Sequence, residues 1–141
     1  MKSIILAAAA LAHAASPAMA QSGDDLCTGV RALAAGAAEA TPFQAMRAQQ
    51  TQFRMGRLAC FFSGGGGYSC SHNLARPNET RESYATRVAT CLPGATRTTE
   101  RRDGRDLIIL RSGRLEARIT EDGTDQGHVG RSIRIFFASV S

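Results

Sequence analysis

The stretch that decides the fold is residues 57–74, which read RLACFFSGGGGYSCSHNL. Side chains on each side of the four glycines follow the two-residue period of a strand, which predicts a hairpin with strands Arg57–Phe62 and Tyr68–Leu74. Centring the loop on Gly65 gives two cross-strand pairs, Cys60 with Cys70 and Phe62 with Tyr68. Directly opposed residues that are not hydrogen-bonded to each other have Cα atoms about 4.5 Å apart, within the range of a disulfide. The sequence therefore predicts a disulfide-bridged hairpin.

One helix is predicted on each side of this hairpin. Residues 24–40 carry apolar side chains at the spacing of one helical face, with Ser22 or Asp24 as the N-cap. Residues 79–92 repeat this pattern, with Asn78 as the predicted N-cap. Residues 43–56 have no clean period and are interpreted as loop or short helix.

After residue 94 the apolar period changes to two, which predicts a strand meander. The turn dipeptides Asp103-Gly104 and Ser112-Gly113 separate its strands. Taking both residues of the second dipeptide as the turn places Ile108 opposite Ala117 and Leu110 opposite Leu115. The predicted strands are residues 97–102, 106–111, 114–120 and 131–140. The predicted fold class is α+β: two helices packed on an antiparallel sheet made of the cysteine-bridged hairpin and the C-terminal meander.

The remaining two cysteines are predicted to form a second disulfide. If Cys60 bonds to Cys70, then Cys27 bonds to Cys91 and joins the two helices through their apolar faces. The alternative is a zinc site made of Cys60, Cys70, Cys91 and His72. No C-x-x-C pair supports that site, so we expect two disulfides, no metal and no cofactor.

The N-terminal residues have the pattern of a cleaved secretory signal peptide. Lys2 supplies the positive charge, a short apolar stretch follows, and Ala18-Met19-Ala20 forms an A-x-A cleavage site. We expect cleavage after residue 20, a single domain over residues 21–141, and a periplasmic or secreted location. The apolar stretch is too short to span a bilayer, so we expect no integral membrane segment after processing.

The charge balance argues against nucleic acid as a partner. The 17 basic residues include a single lysine, Lys2, and they face 12 acidic residues. Basic and acidic side chains are spread evenly along the expected mature chain. Nucleic-acid binding needs a dense stripe of cations or a Lys/Arg-rich segment, and the sequence has neither.

The motifs for catalysis are incomplete. Residues 67–71, GYSCS, resemble the start of a nucleophile elbow, but Ser71 stands where the second glycine belongs. A triad of Ser69, His72 and Asp125 can be written, yet nothing in the sequence fixes its geometry. His128 lies in a glycine-rich turn. The glycines at 64–67 lack the Lys and Ser/Thr of a P-loop.

Two features indicate binding to another macromolecule. Arg101, Arg102 and Arg105 surround one turn, and guanidinium groups there suit carboxylate or phosphate groups. Phe136 and Phe137 are adjacent in a strand, so one of them faces away from the core; we take Phe136 as the contact residue.

The leading hypothesis is a small exported, non-catalytic binding protein with a protein partner in the cell envelope. An inhibitor or immunity-type protein is its more specific form. The element order resembles that of small exported bacterial binding and immunity domains, but only as an arrangement. The alternatives are a small envelope hydrolase that uses Ser69 and His72, and a structural envelope component.

Overall fold

The hairpin of residues 57–74 lies within a much larger sheet. The computed structural model describes residues 21–74, 78–123 and 130–141. Within these residues the helices are α1 (Gln21–Ala37), α2 (Gln44–Gln49) and α3 (Arg81–Cys91). The strands are β1 (Gln52–Met55), β2 (Leu58–Ser63), β3 (Gly67–Asn73), β4 (Thr96–Arg102), β5 (Arg105–Ser112), β6 (Leu115–Asp122) and β7 (Ser132–Ser139).

The described strands form one sheet in the order β1-β2-β3-β7-β6-β5-β4. All neighbouring strands are antiparallel, and β7 joins the hairpin to the meander by pairing with both β3 and β6. In the hairpin Cys60 pairs with Cys70 and Phe62 with Tyr68, as predicted. The α+β fold class predicted from the sequence is confirmed, and α2 and β1 occupy the stretch whose pattern was ambiguous.

The helices cover one face of the sheet. Fully buried residues of α1 and α3, including Leu33 and Val88, belong to one core with Ile108, Ile135 and Phe137 of the sheet. α1 contacts β1 most extensively and also reaches β7 and β6, whereas α3 contacts β5 and β6, so α1 covers the β1 end of the sheet and meets α3 over the meander. The opposite face of the sheet has no helix on it within the described residues.

A glycine allows α1 to approach β1 closely. A Cβ atom added at Gly29 would lie 2.6 Å from the Cβ atom of Met55, closer than two carbon atoms can approach. Any side chain at this position would push the helix away from the strand. Gly29 therefore fixes the separation of α1 and the edge of the sheet.

Both disulfides are present with the predicted pairing. The Cys27–Cys91 bond joins α1 to α3, with 4.9 Å between the Cα atoms. The Cys60–Cys70 bond crosses β2 and β3, with 4.0 Å between the Cα atoms. In the described part of the chain no helix is both long enough and apolar enough to cross a membrane.

The predicted register of β5 and β6 was wrong by two residues. Ile108 pairs with Ile119 rather than Ala117, and Leu110 pairs with Ala117 rather than Leu115. The turn consists of Gly113 and Arg114, because Gly113 adopts a positive φ of 56° as the first turn residue. A shift of two residues keeps every side chain on its face, so the core was still assigned correctly.

The predicted cap of the second helix was also wrong. Thr80, not Asn78, is the N-cap of α3, and the helix begins at Arg81 rather than Glu79. The Thr80 hydroxyl accepts a hydrogen bond from the Ser83 N–H, and the Thr80 N–H donates to the Ser83 hydroxyl. This reciprocal capping box satisfies two N–H groups at once, one more than a lone asparagine cap would satisfy.

Candidate functional site

The three arginines predicted as a contact surface lie together at the β4–β5 turn, but each one faces a carboxylate. Arg101 lies 3.8 Å from Asp106, Arg102 lies 2.8 Å from Glu100, and Arg105 pairs with Asp122. All three are well exposed to solvent. A partner would have to displace these carboxylates, so the group resembles a solvated hairpin end.

Phe136 lies on the uncovered face of the sheet, as the alternation with Phe137 predicted. It is partly buried beside Ser69 of β3, and the Arg118 guanidinium lies 5.9 Å from the centre of its ring. Phe137 is fully buried among the core residues. Phe136 therefore contributes an apolar surface that is accessible only in part.

The structure does not bring Ser69 and His72 together. Ser69 lies on the uncovered face opposite Phe136, whereas His72 lies on the helix face opposite Ile133. The His72 Nε2 atom is instead 3.9 Å from a carboxylate oxygen of Glu79. Asp125 and His128 lie outside the described residues.

The cysteines considered for a zinc site are all in disulfides. Within the residues that the structure describes, no group of three or more His, Cys, Asp or Glu side chains is placed to hold a metal ion. The arrangement on these residues thus offers no metal-ligand set.

A site that sequence reasoning missed lies at the edge strand β1. The Phe62 N–H donates to the Thr51 C=O at 2.8 Å, and Met55 pairs with Leu58 across a two-residue turn. Bonded and non-bonded pairs alternate in an antiparallel ladder. The N–H and C=O groups of Gln52 and Arg54 therefore point away from β2. No other described part of the chain pairs with them.

Two grooves flank this free edge, one on each face of the sheet, and each is about 430 Å³ in volume. The helix-side groove lies between α1, α2 and β1. Its lining is mixed: Ala32, Met46 and Phe53 are apolar, whereas Asp25, Thr28 and Gln50 are polar. The open-face groove lies over β1 and β2 and is lined in part by Ala59 and Phe61. We call this edge with its two grooves the β1 edge site.

Arg54 borders both grooves and is not neutralised. None of the described residues forms an ion pair or a hydrogen bond with its side chain. Phe61, on the same face, is 48% exposed and is the large apolar side chain most open to solvent in the described chain. An uncompensated cation next to an exposed aromatic ring favours a partner that carries both a carboxylate and apolar surface.

An aromatic cluster holds the β1 edge site in place. The Tyr68 ring makes edge-to-face contacts with Phe43, Phe53 and Phe62, with ring centres 5.6, 5.3 and 5.3 Å away. The Tyr68 hydroxyl donates to the Gln50 C=O at 3.1 Å, immediately before β1. Burial raises the pKa of Tyr68, so this hydroxyl keeps its proton and remains a donor.

The meander half of the same sheet face has the opposite electrostatic character. Glu116 of β6 is only 3% exposed and accepts hydrogen bonds from Arg111 and Arg118. Burial alone would raise the pKa of Glu116, but these two guanidinium groups outweigh it and hold the pKa below its usual value. The arginines here are compensated, in contrast to Arg54.

No protein-family model, no curated protein and no solved structure matches this chain.

Proposed function

We propose that this chain is a small exported, non-catalytic protein that binds another protein through the β1 edge site. The observation that carries the proposal is the uncompensated Arg54 beside the exposed ring of Phe61 at a free sheet edge. Arginine and aromatic side chains, including phenylalanine, are enriched at the cores of protein interfaces. An inhibitor or immunity-type role is the specific form that we favour.

Export is supported by two independent features. The N-terminal residues have the sequence pattern of a signal peptide, with an A-x-A cleavage site before Gln21. All four cysteines are in disulfides, which form and persist in oxidising compartments such as the periplasm. A protein partner in the cell envelope is consistent with this location.

A non-catalytic role is supported by the placement of the two residues of the hydrolase alternative. Ser69 and His72 lie on opposite faces of β3, so His72 is not placed to accept a proton from the Ser69 hydroxyl. The His72 Nε2 atom instead faces a carboxylate oxygen of Glu79 at 3.9 Å, in the loop before α3.

Quantitative capture from envelope extract tests the proposal. We expect the intact protein to retain a stoichiometric protein partner, and the Arg54→Glu variant to lose most of it. The matched control is Arg101→Glu, which makes the same charge change at an exposed site on β4. Equal capture by all three proteins would refute the site, and an esterase or peptidase turnover that is lost in His72→Ala would refute the non-catalytic role.

A further inference from the structure

We propose that the partner contributes an extended segment that adds to the sheet as a further strand beside β1. This inference rests on the proposed function and specifies how the β1 edge site binds. Gln52 and Arg54 present outward N–H and C=O groups, which is the hydrogen-bonding pattern that an added strand needs. The main chain supplies this part of the recognition, whatever the sequence of the partner.

The two grooves define which side chains the added strand carries. Successive side chains of a strand point to opposite faces of the sheet, so they would enter the two grooves alternately. The helix-side groove is lined by Met46 and Phe53 and also by the carboxylate of Asp25, so it suits an aliphatic side chain rather than an acidic one. The open-face groove has Arg54 at its border and suits a carboxylate. The partner segment therefore alternates aliphatic and acidic residues.

A second copy of this chain fits the site less well than an acidic segment of another protein. Two copies of β1 could pair only through residues whose N–H and C=O groups point outward, namely Gln52 and Arg54. An antiparallel pair would therefore place either Gln52 or Arg54 of the second copy opposite Arg54 of the first. Neither residue offers a carboxylate. Arg54 of each copy would remain uncompensated, and the Arg54–Arg54 register would bring like charges together.

The test uses peptides on the folded, disulfide-intact chain. The probe is the peptide Val-Glu-Val-Glu-Val-Glu-Val, acetylated at its N-terminus and amidated at its C-terminus. The control is the peptide Val-Val-Val-Val-Glu-Glu-Glu, which has the same composition and the same end groups. We expect the alternating peptide to shift the amide resonances of residues 51–56 and of α1. We expect the control peptide to bind roughly tenfold more weakly, because it cannot fill both grooves from one extended strand.

Two modifications separate strand addition from other modes of binding. Gln52→Pro removes one outward N–H without touching the ladder to β2, so affinity should fall roughly threefold to tenfold. The matched variant Thr99→Pro removes an outward N–H from β4 and should leave affinity unchanged. The peptide can also be methylated on alternate amide nitrogens, which leaves the protein unaltered. Methylating the nitrogens on the edge that faces β1 should abolish binding, whereas methylating those on the opposite edge should not.

The outcomes distinguish the two proposals. Equal binding of the alternating and control peptides, equal effects of the two methylation patterns, or shifts confined to β4 would each overturn strand addition. Concentration-dependent dimerisation through β1 without peptide binding would overturn the acidic-segment partner. If strand addition fails while Arg54→Glu still loses the envelope partner, the proposed function stands; if both fail, it does not.

Discussion

The two edges of the sheet differ in length, in the charge of their side chains and in the grooves beside them. β4 has seven residues, of which six are exposed, and its arginines at positions 97, 101 and 102 each face a carboxylate. β1 has four residues, and it lies between two grooves with an unneutralised Arg54 at their border. We therefore expect the longer edge to be the less receptive one.

Free peptide groups do not distinguish the two edges, so on our proposal the side chains around each edge decide whether it binds. β4 also has outward N–H and C=O groups, at Arg97, Thr99 and Arg101, because Arg102 and Arg105 flank a two-residue turn as a bonded pair. Its charged, solvated side chains are those by which natural sheets discourage edge pairing. We propose that at β1 the flanking grooves and the unmatched charge make a similar edge receptive to a partner strand.

The largest expected effect on stability comes from the Cys27–Cys91 disulfide, which links α1 to α3. The Cys27–Cys91 bond closes a 64-residue separation and the Cys60–Cys70 bond one of 10. By restricting the unfolded chain, the Cys27–Cys91 bond should stabilise the fold by about 4 kcal/mol and the Cys60–Cys70 bond by about 3 kcal/mol. We expect Cys27→Ala/Cys91→Ala to lower the Tm several degrees more than Cys60→Ala/Cys70→Ala, because it also frees α1 from α3.

Hydrogen exchange on the same variant sharpens the comparison of the edges. Loss of the Cys27–Cys91 bond should increase amide exchange in α1 and β1 while β4 and β5 keep their protection. A Tm loss that is equal for the two disulfide variants, or larger for the hairpin pair, would show that the hairpin and not the helix pair limits stability.

The next effect is local to the β1 end. Gly29→Ala places a methyl group 2.6 Å from the Cβ atom of Met55. We expect a loss of about 1–3 kcal/mol in the free energy of unfolding, measured by urea denaturation, because α1 must move off β1. Gly64→Ala is the control, since a Cβ there meets nothing within 4 Å. Equal stability of the two variants would mean that α1 does not set the shape of the groove.

The third effect is electrostatic and belongs to the meander half. Glu116→Gln removes a buried charge that is held by Arg111 and Arg118, and should cost about 1 kcal/mol at neutral pH, since both arginines are partly exposed. The pKa of Glu116 is lower in the folded chain, so the charge stabilises the fold above the unfolded pKa. This stability is lost as the pH falls through the folded pKa.

Denaturant titrations at neutral pH and well below the ordinary pKa of glutamate check this pH dependence. The difference in the free energy of unfolding between the native chain and the Glu116→Gln variant should disappear at the acidic pH. A gap of the same size at both pH values would show that packing, rather than charge, is responsible.

The hairpin could be predicted because three local features agree in it. The glycines fix the turn, the alternation fixes the faces, and the cysteines fix the register at Cys60 and Cys70. The β5–β6 register was less constrained, because Ser112-Gly113 and Gly113-Arg114 both suit a two-residue turn. Only the positive φ of Gly113 as the first turn residue decides between them.

The β1 edge site was missed although a signal for it is present. Residues 52–55 read QFRM, a polar–apolar alternation that leads into Gly56 and the hairpin, but four residues are too few to outweigh the helical character of the preceding ones. Charge compensation is not visible in the sequence at all. Arg105 is neutralised by Asp122, 17 positions away, whereas Arg54 is not neutralised, and only the strand order shows this.

A charge-exchange cycle tests the central claim, that β1 and not β4 is the receptive edge, most directly. Isothermal titration would measure the affinity of two peptides, the alternating valine–glutamate peptide and its valine–lysine counterpart. Each peptide would be titrated into the native chain, the Arg54→Glu variant and the Arg101→Glu variant. We predict that Arg54→Glu weakens binding of the glutamate peptide about fivefold and strengthens binding of the lysine peptide, while Arg101→Glu changes neither. Equal responses of the two variants, or a larger response from Arg101→Glu, would contradict the account.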